Sequence, residues 1–97
     1  MATSTIKVSN YIIAERVTIS SDIPTISANT SAHIDLNVAK SGYTPIGIIE
    51  VTGSGNSGLL LQDFYLQGTT AIIYFRNITS AAKTASSITV KVLYTKN

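Results

Sequence analysis

Side chains capable of acid–base, nucleophilic or metal chemistry are sparse in this chain. It has one histidine, His33, five carboxylates, Glu15, Asp22, Asp35, Glu50 and Asp63, and no cysteine. His33 and Asp35 stand two apart in an alternating run, which sets both on one face of a strand, with Asn37 next along it. Such a pair could touch a divalent ion. Protein sites for these ions take three or more ligands, however, and an asparagine is a poor third for zinc. The plainer reading is three polar residues on a solvated face, so no metal and no cofactor is expected. A glycosidase needs two carboxylates flanking a cleft. Glu50 and Asp63 lie on either side of a glycine-rich loop and could face each other, but each could equally point to solvent or pair with Arg76. No Gly-x-Ser-x-Gly elbow accompanies the serines, and the single histidine sits in no triad order. The run GSGNSG at 53–58 has neither a helix after it nor a Gly-Lys-Ser/Thr, so it is not a phosphate-binding loop. Catalysis is not expected.

The aromatic residues are more informative: five tyrosines, two phenylalanines and no tryptophan. Tyrosine stacks on sugar faces and anchors interfaces at low entropic cost. Tyr11, Tyr43 and Tyr65 stand near turns or out of phase with their strands, whereas Tyr74 and Tyr94 fit inside strands. Core or subunit-interface roles would account for most of them, and the lack of tryptophan argues against a conventional carbohydrate platform.

The elements that would position these residues are all extended. The organising stretch is Ser31 to Thr52. Ala32, Ile34, Leu36 and Val38 alternate with His33, Asp35 and Asn37, the mark of a half-buried strand. A Ser-Gly-Tyr-Thr-Pro corner at 41–45 then leads into IGIIEV at 46–51, which reads as a central strand buried on both sides, with Gly47 allowing close approach of a neighbour. Before this stretch, Thr5 to Val8, Tyr11 to Ile13, Glu15 to Ser20 and Thr25 to Ser27 read as short β pieces, with Pro24 removing a ladder donor. After it, Leu59 to Leu66 and Thr70 to Asn77 flank Gln67-Gly68-Thr69 and predict a hairpin. Ile78 to Ala85 reads as a loop, and Ser87 to Thr95 as a last alternating strand. Lys91 and Lys96 there would blunt an exposed sheet edge. No segment carries a sustained helical period. The pattern predicts an all-β chain, an antiparallel β-sandwich or jelly-roll-like fold of about seven to eight short strands. Residues 1–97 form one domain, with 1–10 a possible strand or arm.

Composition bounds the partners. Charged residues are 12% of the chain, about half the usual share, and Ser and Thr fill roughly a quarter of it. The net charge of +2 comes from Lys7, Arg16, Lys40, Arg76, Lys83, Lys91 and Lys96, scattered with no like-charged run. Neither nucleic-acid binding nor a polybasic membrane patch is expected. No apolar run approaches a bilayer span and Met1 to Ser4 lead straight into TIKV, so membrane insertion and a signal peptide are not expected. Asn29-Thr30-Ser31 and Asn77-Ile78-Thr79 match the glycosylation acceptor pattern, which matters only in a secretory pathway. The runs LLL at 59–61 and IIYF at 72–75, and Leu93 on the nominally polar face of the last strand, exceed what a small sandwich can bury. A subunit interface involving Leu59, Leu61 and Leu93 would absorb the surplus, which predicts a homo-oligomer.

The opening MATSTIK, the block TISANTSAHIDLNVAKSGYTPIGIIEV, the Gly/Ser/Asn loop and the closing SITVKVLYTKN together resemble small tail-associated proteins of phages from Gram-positive and gut bacteria. The block is also similar to the C-terminal head domains of their tail-fibre and baseplate receptor-binding proteins. The resemblance is most specific over Ser41 to Ile48 and Val90 to Lys96, and it covers well over half the chain. It implies a β-sandwich head, a homotrimer, made in the bacterial cytoplasm and placed in the virion, whose loops meet a cell-surface glycan. One departure is that a full receptor-binding protein carries an N-terminal shoulder or shaft, whereas Met1 here stands almost at the domain. On this resemblance Asn56, Asp63 and Tyr65 are the candidate ligand contacts. The alternative it leaves open is a capsid or tail decoration protein that binds only other virion proteins.

Overall fold

The computed structural model describes residues 3–7, 11–54 and 57–97 of the chain, with backbone alone over 3–7 and at Ser54. Seven strands run β1 (Thr3–Lys7), β2 (Ile12–Ile19), β3 (Ser31–Asn37), β4 (Tyr43–Ser54), β5 (Leu59–Gln67), β6 (Thr70–Asn77) and β7 (Ser87–Lys96). Helix is absent among the described residues. Two antiparallel sheets result, β2-β7-β4 with β1 added outside β2, and β3-β6-β5. The two facing layers therefore hold six strands, three each, rather than the seven to eight expected. The count falls because Tyr11 to Ile13 and Glu15 to Ser20 merge into β2, while Thr25 to Ser27 pairs only through an isolated bridge from Ile26 to Lys83.

Strand alternation explains the core. β3 buries Ile34 and Leu36, β6 buries Ala71, Ile73 and Phe75, and β7 buries Ile88, Val90, Val92 and Tyr94. These inward faces meet Ile13 and Val17 of β2, and Leu59, Ile26 and Val38, in one cluster. Burying such side chains contributes about 1.5–3 kcal/mol each and is what holds two otherwise half-wet sheets together. Leu59 is only 7% exposed and belongs to this core. It is thus removed from the set of interface leucines, because its side chain is already spent inside its own chain.

The polar locks sit at the ends of the layers. Tyr94 donates from its hydroxyl to the Val38 carbonyl at 2.5 Å. Asn77, fully buried, donates through Nδ2 to the carbonyls of Ile26 and Ala81, each at 2.9 Å. Its Oδ1 accepts the Thr79 amide at 2.9 Å and lies 2.7 Å from the Thr79 hydroxyl. Both hydrogens and both lone pairs of the amide are used. The Asn77 acceptor pattern is therefore closed to modification in the folded chain.

Two expectations about edges change. β4 is an edge strand, not a central one, and β7 is central between β2 and β4. Lys91 and Lys96 hence blunt no edge. Nothing lies within 4 Å of where a Cβ would stand on Gly47. Instead β4 slips register twice, between Pro45 and Gly47 and between Ile48 and Glu50, and the extra residues Ile46 and Ile49 are 49% and 52% exposed. The edge of the other sheet, β5, also slips, between Leu61 and Asp63. Bulges on edge strands twist them away from pairing with a stray strand.

Candidate functional site

A hairpin and one long-range strand pairing build the most chemically loaded surface of the molecule. β5 and β6 join through Gly68 and Thr69, with Gln67 opposite Thr70. Gly68 has φ +61, which the first central position of a type II′ turn requires and which a glycine adopts without strain. That turn fixes the register: Tyr65 opposes Ile72 and Asp63 opposes Tyr74. β3 then adds His33 opposite Tyr74 and Asp35 opposite Ile72. Because alternation is common to all three strands, these residues share the outward face of the β3-β6-β5 sheet.

Two rows cross that face: His33–Tyr74–Asp63 and Asp35–Ile72–Tyr65. The rings of Tyr65 and Tyr74 stack with centroids 6.4 Å apart and planes inclined by 24°. His33 lies against Tyr74 at 5.4 Å, tilted by 50°, and its Nδ1 is 2.7 Å from Asp35 Oδ1. Ile72 is buried beneath these rings although it points away from the core, which makes the patch a covered aromatic floor. Asp63 is turned at the bulge, and its Oδ1 accepts the Phe64 amide at 2.8 Å. The Tyr65 phenol is pushed above the ordinary tyrosine range, first by local burial, then by charge and hydrogen bonding from Tyr74, then by the carboxylates of Asp63 and Asp35.

Of the expected ligand contacts, Asp63 and Tyr65 thus come together on this face, and Asn56 lies outside the described residues. Alternation alone puts His33 and Asp35 on a solvated face, but no local signal joins them to the tyrosines or marks Tyr74 as more than a strand residue. Of the expected interface residues, Leu61 is exposed on edge strand β5, and Leu93 is half-buried on the outward face of the other sheet between Ala14 and Gly47. Leu59, as stated, is in the core.

Other surfaces offer less chemistry. Glu50 and Asp63 are on different sheets, Glu50 opposite Lys91 and Asp63 opposite Tyr74, so they flank no common cleft. Arg76 is directed away from Asp63: its guanidinium donates to the Asn29 carbonyl at 3.0 Å and to Ser31 Oγ at 3.4 Å. A shallow depression of about 290 Å³ is lined by Thr18 to Asp22 and Leu36, with one carboxylate and no aromatic ring. The buried Glu15 carboxylate meets Lys40 Nζ at 3.0 Å, and Lys40 in turn caps the Tyr43 ring at 5.4 Å, a structural cluster at the end of the layers. Among the described residues, no three histidines, cysteines or carboxylates converge as a metal-ion group would. Comparison of the chain with protein-family models, with curated proteins and with solved structures finds no match.

Proposed function

We propose that this chain is a non-catalytic phage virion component, a head domain of the tail-fibre or baseplate kind, which binds a host cell-surface saccharide. The observation that carries the binding reading is the stacked Tyr65–Tyr74 pair on a sheet face, Tyr65 exposed and Tyr74 half-buried, bordered by Asp63, Asp35 and His33. Aromatic faces provide sugar-stacking surface, and carboxylates beside them accept hydrogen bonds from hydroxyls. The site is then a sheet face rather than the loops expected from the resemblance. The fold reading is a reduced jelly roll. β2, β3, β4 and β5 alternate between the two sheets, then β6 and β7 return alongside β3 and β2, the winding of a jelly roll with one hairpin left out.

Presentation as a homotrimer would multiply weak sites into avidity. What supports an assembly is the apolar seam along the two edge strands, with Ile46 and Ile49 on β4 and Leu60 and Leu61 on β5 all exposed. The same seam favours the second reading, a capsid or tail decoration protein whose only partner is other virion protein. The two separate by experiment. Whole-cell and glycan pull-down with purified chain should succeed and should fail for Tyr65→Ala/Tyr74→Ala, which leaves the core intact. Retention of cell binding by that double variant, or capture only by virions lacking the protein, would overturn the saccharide reading.

A further inference from the structure

We propose that the tyrosine face selects cationic saccharides, sugars bearing a free ammonium group, over neutral and anionic ones. This rests on the saccharide reading above and deepens it. The chain as a whole carries +2, yet this face concentrates carboxylates. Asp35 ends one row and Asp63 ends the other, on opposite outer strands of the sheet. With strands about 4.8 Å apart and the two rows about 7 Å apart along them, the two carboxylates bracket the ring pair across a diagonal of about 12 Å, a span suited to a short oligosaccharide lying over the rings.

Among the described residues no lysine or arginine pairs with either carboxylate; Asp35 has the His33 imidazole at 2.7 Å, and Asp63 has no basic partner. Arg76, the one permanent cation on β6, is drawn off by the Asn29 carbonyl and Ser31. Arg16 and Lys91 oppose each other on the other sheet, and Lys40 is engaged with Glu15. The upward shift of the Tyr65 phenol, to which Asp63 and Asp35 both contribute after burial and Tyr74, marks the same negative potential. A phenol ring attracts a cation over its face, and a carboxylate beside the ring adds a charge-assisted hydrogen bond to the same ammonium. A phosphate or uronate would instead meet two like charges.

The test titrates the full chain with three oligosaccharides of equal length, of glucosamine, N-acetylglucosamine and galacturonic acid, at a pH where the amine is protonated, following amide shifts by NMR. The glucosamine oligomer should bind about tenfold tighter than its acetylated counterpart, with perturbations centred on β3, β5 and β6, and should weaken as salt rises. Asp63→Asn, which keeps an acceptor for the Phe64 amide, and Asp35→Asn should each weaken the glucosamine oligomer several-fold and narrow its advantage over the acetylated one. Equal affinity for the acetylated and free amines, or preference for galacturonate, would overturn the charge selection while leaving saccharide binding in place. Absence of binding to all three would overturn both.

Discussion

Tyr94→Phe isolates one hydroxyl that joins the two layers. Tyr94 sits on central strand β7, 1% exposed, and donates to the carbonyl of Val38, the residue that follows β3. Burial first, and the Glu15 carboxylate second, push the phenol from 10.0 up to about 12. The fold therefore favours the neutral form. In the unfolded chain the phenol ionises from pH 10, so its contribution is complete below pH 10 and is lost as pH rises through 12. Across that window the loss is on the order of 3 kcal/mol. Phenylalanine keeps the ring, including its edge-on contact with Tyr43 at 6.5 Å, and removes only the hydroxyl. At neutral pH the orphaned Val38 carbonyl should cost about 1–1.5 kcal/mol. The two effects oppose each other as pH rises. The wild type should be the more stable protein at pH 8, should match the variant near about pH 11, and should fall below it beyond. Urea denaturation followed by circular dichroism on both proteins, over a pH series, gives the difference curve, in which the other tyrosines and the lysines cancel. A wild-type advantage that stays flat from about pH 8 to 11.5 would refute the reasoning, since it would mean that the hydroxyl ionises as freely in the folded as in the unfolded chain.

Three further outcomes follow from the geometry. Asn77→Ala should destabilise by about 1–3 kcal/mol, because the Thr79 amide loses its acceptor and the Ile26 and Ala81 carbonyls each lose one of two donors, keeping only the Lys83 amide and the Thr79 hydroxyl; a loss under about half a kilocalorie in urea melts would show that water replaces the amide. Gly58→Ala should cost about 2–3 kcal/mol, since Gly58 has φ +81 and its Cβ would run into Thr79 Cγ2, whereas Gly68→Ala, at φ +61 with open space around it, should cost about 1 kcal/mol; thermal melts that rank the two the other way would contradict this. Ile46→Thr/Ile49→Thr should leave urea stability within about 0.5 kcal/mol and shift the chain toward monomer in light scattering, and an unchanged mass would remove the seam as the assembly surface.

The half-buried alternation of Ala32 to Val38 and the final strand from Ser87 onward were both readable, because period two in apolarity maps directly onto one wet and one dry face. IGIIEV misled for a physical reason. An apolar run reads as doubly buried, but two register slips rotate Ile46 and Ile49 out to solvent on an edge. Bulges insert a residue without leaving a mark in residue type, so they break a periodicity argument from within. Edge or centre is likewise a property of long-range pairing. Nothing local in Ser87 to Lys96 says that Ile12 to Ile19 will lie on one side of it and Tyr43 to Ser54 on the other.

The tyrosine face was half legible, and the missing half turns on one residue of loop length. Taken as a three-residue loop, Gln67-Gly68-Thr69 pairs Leu66 with Thr70 and leaves Tyr65 and Tyr74 without a common row or diagonal. With Gly68 in the left-handed region the loop is two residues, Gln67 meets Thr70, and Tyr65 and Tyr74 become diagonal neighbours on one face. The hairpin alone thus contained Asp63, Tyr65 and Tyr74. His33 and Asp35 reach that face only because β3 docks beside β6, about forty residues away in sequence and set by burial of Ile34 and Leu36 rather than by any turn. The same burial that fills the core therefore decides which polar residues flank the tyrosines. Slipping β3 by one residue would turn Ile34 and Leu36 to solvent and carry His33 and Asp35 into the core, so the core enforces the register on which the candidate site depends.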